Sequence, residues 1–470
     1  MSEEKDRYYS DNGFVNLMRR YEEMVSQSAR YYFDVDEFEE IIDHYMGQGK
    51  SNRAYNATQH AINLHPSSTS IRLKMAVILN DKSQPLESLN ILNTIEKIEF
   101  NNPEVHFTKG MALNLLGQAK DAVKYFNKAV MLTDEAKEDI LFNIAIAFEQ
   151  QSHFTLALRY LFQAYDLEPG NLSYIYDIAY CYERIDKLDK ALDFYNRYLD
   201  KDPFSENVWY NMGVIYNRME NYDKAIEAYD FAISLDEEYS SAYFNKANTL
   251  ANSGNYKSAI TVYKELLYLE ENNEQVICYI GECYEKIELW DEALKYYRKS
   301  LSVNPDYADA WLGRGMVMFA KGEYNKSLCY VEKAIELFPD SSEYWYSLGN
   351  IYIKLGRPVD AINSYRKAVK FDPGDFDSWI NLAETFLQFK DYDMAVQVLT
   401  EASGINPGIA LFNYRLAAYS LMNNDGEKAD HFLRIALSLD YEAHNDFLKY
   451  YPEAARIKSV KDLLKTFNKT

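Results

Sequence analysis

Residues 206–239 read ENVWYNMGVIYNRMENYDKAIEAYDFAISLDEEY, and residues 240–273 read SSAYFNKANTLANSGNYKSAITVYKELLYLEENN. The two align without a gap, and the 34-residue period decides the fold. In the same register, units begin at Val35, Thr69, Pro103, Glu138, Leu172, Glu274, Ala308, Ser342, Phe376 and Ala410. Only the unit at Pro103 is longer, by one residue near Thr133–Lys137. Twelve units run from Val35 to Ala443.

The register is specific at two small positions. Position eight reads Ile42, Ala76, Gly110, Ala145, Ala179, Gly213, Ala247, Gly281, Gly315, Gly349, Ala383 and Ala417. Position twenty is Ala except for Ser88 and Ser327. Small side chains there let two helices approach closely, which a leucine would prevent. Positions four, seven, eight and eleven, as in Trp209, Met212, Gly213 and Tyr216, form the i, i+3, i+4, i+7 stripe of an amphipathic helix. Positions 20, 24 and 27 form a second stripe, as in Ala361, Tyr365 and Ala368. Between them lie turns such as NSGNY. Pro85 and Pro358 at position 17 open second helices, and Pro66, Pro169, Pro203, Pro305, Pro339, Pro373 and Pro407 at position 32 end them.

This pattern resembles the tetratricopeptide repeat family, whose W-x2-L-G-x2-Y signature is met by Trp345, Leu348, Gly349 and Tyr352. The weakest matches are the first two units, through Ile42 and Ser88. The resemblance implies an all-α, right-handed solenoid superhelix of antiparallel helix pairs, with a concave groove lined by the first helices. Stacking follows independently, because one helix pair cannot bury both of its apolar stripes. Segment 1–34 is expected to carry an acidic stretch and a capping helix with the stripe Phe14, Leu17, Met18 and Tyr21. Segment 444–470 is expected to form the other cap through Val460, Leu463, Leu464 and Phe467.

The charge is strongly acidic: 50 Lys plus Arg against 72 Asp plus Glu, or −22. That disfavours nucleic acid and anionic membrane surfaces as partners. A content of 47% hydrophobic residues excludes disorder as the main state. No signal-peptide core, long apolar run or cysteine framework appears, so the chain reads as cytoplasmic with reduced cysteines. No catalytic, cofactor or metal motif stands out among the seven histidines. Gly49-Lys50-Ser51 ends like a phosphate loop, but His44 stands where that loop requires glycine. Trp209, Trp311, Trp345 and Trp379 share position four and read as core.

Function is expected in the groove. Positions 2, 5, 6, 9, 12 and 13 carry sixteen acids against six bases, so nearly half of the net charge falls on one face. A concave surface of one sign focuses potential and attracts the opposite charge. Position six supplies Asn143, Asp177, Asn211 and Asn245, a row suited to pairing with an extended backbone. Tyr176, Tyr180, Tyr210, Phe244 and Tyr279 would add flat apolar contacts, and Glu183, Glu282 and Glu285 would add charge. Position five is never lysine, so the basic clamp that some family members use for a C-terminal carboxylate is not assembled. The resulting expectation is a non-enzymatic scaffold that holds an extended basic polypeptide, rich in Lys or Arg. The alternatives are a self-assembling structural protein, in which homo-oligomers would form, and a regulatory subunit of an enzyme encoded elsewhere.

Overall fold

A computed structural model describes residues 2–27 and 31–467, with side chains from Gly13 onward. Its contacts divide the chain into two compact units, Met1–Met219 and Glu220–Thr470. Regular structure among the described residues is helical throughout.

The first unit opens with α1 (Ser2–Gln27). Helix pairs follow: α2 (Val35–Gly47) with α3 (Ser51–Leu64), α4 (Thr69–Asp81) with α5 (Pro85–Ile95), and α6 (Pro103–Leu115) with α7 (Ala119–Leu132). Next come α8 (Lys137–Gln150) with α9 (Phe154–Leu167), α10 (Leu172–Arg184) with α11 (Leu188–Leu199), and α12 (Glu206–Arg218). The second unit starts at α13 (Tyr222–Leu235). It continues with α14 (Ser240–Asn252) and α15 (Tyr256–Leu269), α16 (Glu274–Lys286) and α17 (Trp290–Val303), and α18 (Ala308–Ala320) and α19 (Tyr324–Leu337). Then come α20 (Ser342–Lys354) and α21 (Pro358–Phe371), α22 (Phe376–Gln388) and α23 (Tyr392–Ile405), and α24 (Ala410–Met422) and α25 (Gly426–Leu439). A short α26 (His444–Tyr450), a 3-10 turn (Pro452–Arg456) and α27 (Lys458–Phe467) close the chain.

Each boundary has a local cause. The residue before a first helix is often Asp, Asn or Ser, and Asp34, Ser68, Asn102, Asn171, Asn273, Ser341 and Asp375 accept from first-turn backbone N–H groups. Such a cap stabilises a helix by about 1 kcal/mol. Position 15 ends every first helix with a left-handed residue, glycine in five repeats and Ser83, Ser152, Asp186, Glu220, Glu288, Lys390 or Asn424 in the other seven. The turn is therefore set by helix packing, since each non-glycine residue there costs about 1 kcal/mol. The inserted residue of the third repeat is absorbed at Ala136, whose φ is 51°, so α8 begins at Lys137.

Volume is complementary across each pair. A Cβ built on Gly281 would lie 2.8 Å from the Tyr297 ring, and one on Gly110 would meet Phe126 at 2.5 Å. Glycine stands at position eight where the side chain at position 24 lies on it, a ring in these repeats and in that of Gly349, and Val331 against Gly315. The exceptional Ile42 is buried, and its repeat carries only Thr58 at position 24. Ser88, which replaces alanine at position twenty, is satisfied by the Ala76 carbonyl at 2.9 Å.

The terminal stripes are covered. Leu17 and Tyr21 of α1 are buried against Phe38 and Ile41, and Val460 and Leu463 of α27 join the core that contains Leu433 and Leu437. Helix α26 begins one repeat length after α24, with the Phe447 ring at position four tilted against Tyr414 at a centroid distance of 5.6 Å. Tyr451 then stands where a small residue is needed, and Pro452 stops the helix. The end is thus a truncated thirteenth first helix.

Candidate peptide-binding groove

The expected groove residues lie on first helices of both units, and each unit is described by itself. In the first unit, Asn143 is exposed on α8, Asp177, Tyr176 and Tyr180 are half-buried on α10, and Tyr210 and Asn211 are half-buried on α12. Asn211 Nδ2 donates to the Tyr176 hydroxyl at 2.9 Å and lies 3.4 Å from that of Tyr195. Tyr180 packs edge-on to Phe154. Glu183 is paired with Arg218 at 3.3 Å. Asp177 stands beside Glu149 of α8, whose Oε1 accepts from Cys181 Sγ at 3.1 Å. Burial, followed by the Glu149 charge, pushes Asp177 up to about 7.

In the second unit, Phe244 and Asn245 are half-buried on α14, and the Tyr279 ring of α16 packs against Phe244 and Tyr263. Tyr279 Oη accepts from Gln275 at 3.0 Å. Glu282 and Glu285 of α16 face Asp309 of α18 and Glu343 of α20. Burial, then Asp309, Glu285 and Glu343, push Glu282 up to about 7. Glu285 and Glu343 are raised as well, first by shielding from water, although Lys286 partly offsets both. Tyr297 Oη donates to Glu285 Oε2 at 2.7 Å. Asn381 repeats the Asn211 arrangement, donating to the Tyr346 hydroxyl at 3.1 Å.

Three of the six groove bases are held by groove acids: Lys74 by Asp43 at 2.6 Å, Arg218 by Glu183, and Arg415 by Glu384 at 3.8 Å. Among the remaining acids, Glu149 and Asp177 in one unit and Glu282, Glu285, Asp309 and Glu343 in the other form two foci in which carboxyls lie against one another. Among the expected residues, Glu183 is neutralised by its partner. Glu149, Asp309 and Glu343 belong to the foci, and no single position marks them because they sit at positions twelve and two.

The four position-four tryptophans differ from a plain core. Trp379 is buried, but Trp209, Trp311 and Trp345 are half-buried. Each indole N–H donates to the carbonyl of the preceding repeat's final proline, at 3.0, 2.9 and 2.7 Å for Trp209, Trp311 and Trp345 and 3.0 Å for Trp379. The polar edge of the ring keeps it at the rim, where it ties one repeat to the next. Cys181, Cys278 and Cys283 are buried and Cys329 is exposed. Among the described residues, no group of three or more His, Cys, Asp or Glu is arranged to hold a metal ion, and no helix is long and apolar enough to cross a membrane.

The raised carboxyls predict a pH dependence of stability. A carboxyl whose folded pKa lies above its unfolded value binds more protons when folded, so stability falls as pH rises through that window, here from about 4 to 7. Thermal unfolding is expected at higher temperature at pH 5.5 than at pH 8, with a difference of about 1–2 kcal/mol after allowance for screening. A midpoint that climbs steadily from pH 5.5 to pH 8 would contradict this.

Models of the tetratricopeptide repeat match residues 103–135, 142–206, 206–239, 240–273, 284–342, 342–375 and 364–397. With the helix pairs and the small positions, they define a repeat scaffold of the kind that mediates protein–protein interaction. The chain belongs to the tetratricopeptide repeat family. It is similar to the crystal structure of yeast Tom70, at 14% identity over 92% of this chain and 98% of that one, with a TM-score of 0.48. It is also similar to the APC/C hetero-tetramer Cut9-Hcn1, at 15% identity over 82% and 90%, with a TM-score of 0.41. MamA is similar at 24% identity over 33% of this chain and 91% of that chain, with a TM-score of 0.30. No curated protein sequence matches this chain.

Proposed function

We propose that this chain is a non-enzymatic, cytoplasmic scaffold whose first helices hold an extended polypeptide segment rich in arginine or lysine. The observation that carries the reading is the group of Glu282, Glu285, Asp309 and Glu343 on three neighbouring first helices, where burial and then the neighbouring acids push Glu282 up to about 7. A cationic side chain entering such a group relieves that repulsion and draws the remaining protons off, so binding gains with each charge neutralised. Tyr279 and Tyr346 are half-buried on the same helices and offer flat contacts for the intervening residues. Asn143, Asp177, Asn211 and Asn245, with Tyr176, Tyr180, Tyr210 and Phe244, would serve the same role on their own helices. The amides of Asn211 and Asn381 are pre-oriented by tyrosines.

Fluorescence anisotropy of a labelled peptide of alternating Arg and Ser residues tests this. Binding to the full chain is expected at low salt and to weaken steeply as salt rises. Equal binding of an alternating Glu and Ser peptide, or insensitivity to salt, would overturn it.

A further inference from the structure

Arg415 of α24 is a largely enclosed charge without a hydrogen bond. Its side chain is 20% exposed, and Nε and Nη1 are buried with no hydrogen-bond partner among the described residues. The nearest carboxylate, Glu384 of α22, lies 3.8 Å from Nη1, which is an ion pair beyond hydrogen-bonding reach. Lys74, at the same position six of its own repeat, reaches Asp43 at 2.6 Å, and Arg314 Nη2 donates to the Tyr330 hydroxyl at 2.9 Å.

What holds the Arg415 guanidinium is the Tyr450 ring, whose centroid lies 3.2 Å from Cζ. Tyr450 stands at position seven of the truncated thirteenth repeat. Stacking fixes the plane of a guanidinium and leaves its N–H groups, which lie in that plane, for another acceptor.

A cavity of about 230 Å³ opens between α24 and α26, and both Arg415 and Tyr450 line it. Leu411, Tyr414, Ala443 and Phe447 give it an apolar wall. Its two acids are already engaged: Asp440 Oδ1 accepts from the Ala443 N–H at 3.2 Å, and Asp446 pairs with Lys449 at 2.8 Å. The Tyr414 hydroxyl donates to the Asp440 carbonyl at 2.6 Å. Arg415 therefore brings the unmet donors to this cavity. An enclosed donor without an acceptor is costly, and a carboxylate meets a guanidinium with charge-assisted bonds.

We propose that this cavity receives the side-chain carboxylate of a glutamate or aspartate on a partner polypeptide, with Arg415 as its counter-ion and Leu411 and Phe447 against its methylene stem. A chain-terminal carboxylate fits less well, because it carries its own amide N–H into the apolar wall. The site stands on α24 and α26 and does not rest on the acids of α16, α18 and α20.

Anisotropy of the full chain with labelled, C-terminally amidated peptides tests this. One peptide of Gly, Ser and Leu carries a central Glu, and its twin carries Gln there. The Glu peptide is expected to bind at least about fivefold more tightly. Arg415→Gln is expected to abolish that preference. Leu411→Trp, which fills the cavity and leaves Arg415 in place, is expected to weaken the Glu peptide by about fivefold or more. Glu384→Gln removes the carboxylate that competes for Arg415 and is expected to tighten binding by about two- to threefold, a gain that loss of structure does not give. Thermal unfolding shows whether each variant is folded, and Leu411→Trp and Glu384→Gln carry the test should Arg415→Gln not fold. Equal binding of the Glu and Gln peptides overturns the proposal, as does a Glu preference that survives Leu411→Trp. Arg415-dependent binding of an acid-free peptide with a free C-terminus, without binding of the Glu peptide, overturns the side-chain assignment.

Discussion

The triple variant E282Q/E285Q/D309N is expected to bind an Arg-rich peptide about fifty-fold more weakly than the wild type, and to unfold at a higher temperature at pH 8. The first effect follows from removing three carboxylates, each worth about 0.8 kcal/mol to a cation in a partly shielded groove. The second follows from the folded state itself. Burial opposes ionisation of Glu282 and Glu285, and the neighbouring acids oppose it further. Amides of the same shape carry no such penalty. Glu285→Gln still accepts the Tyr297 hydroxyl proton through its carbonyl oxygen, so that hydrogen bond survives. Loss of affinity with a gain in stability cannot arise from misfolding. At pH 5.5, below the value of about 7 to which Glu282 is pushed, the stability gain should shrink. A triple variant that binds as tightly as the wild type would remove the electrostatic basis of the groove reading.

Lys109→Ala is expected to lower stability by about 3–4 kcal/mol, read from thermal or urea unfolding. Lys109 is 7% exposed at position seven of its repeat, on the packing stripe where most repeats place an aliphatic residue. Its Nζ lies 2.6 Å from Asn93 Oδ1 and from Glu96 Oε2, and 4.5 Å from the centroid of the Tyr125 ring. Burial alone would raise the Glu96 carboxyl. The Lys109 ammonium overrides it and holds that carboxyl below its ordinary value, with help from His106 and Lys128. Alanine both opens a cavity and strips Glu96 of its main partner. Lys109→Met fills most of the room, and Glu96 keeps Lys128 at 3.9 Å and some access to water. It should therefore cost only about 1–2 kcal/mol. Equal losses for the two variants would show that the ion pair contributes nothing. Because the folded pKa of Glu96 is lowered, the stability it contributes is present above the unfolded pKa and disappears only as pH falls below about 4.

Lys109 also marks where pattern reading stops. The stripe at positions four, seven, eight and eleven gives the packing face, yet position seven holds Lys109, Lys246 and Arg314 in three repeats. Lys246 pairs with Asp230 at 2.5 Å, and Arg314 lies 4.2 Å from the Tyr330 ring centroid and 5.0 Å from that of Trp311. A charge on an apolar stripe was the available signal, but the partners Asn93, Asp230 and Tyr330 come from neighbouring helices, which a single-helix pattern does not contain. Likewise, counting acids along the groove face finds the excess and cannot tell Glu183, held by Arg218, from Glu282, which no base on α18 meets.

The period and the small positions by themselves determined helix pairing and boundaries almost to the residue, because a 34-residue spacing and the steric limit at position eight leave one way to stack such hairpins. The bulk of the acidity was legible there too, since charge is a property of composition. The tertiary structure alone decided which carboxyls keep their charge, which bases are already taken, and which tryptophans reach a carbonyl at the rim. Those outcomes depend on distances of a few ångströms between side chains from different helices. Electrostatic energy changes steeply over that range, and hydrogen bonding vanishes beyond it.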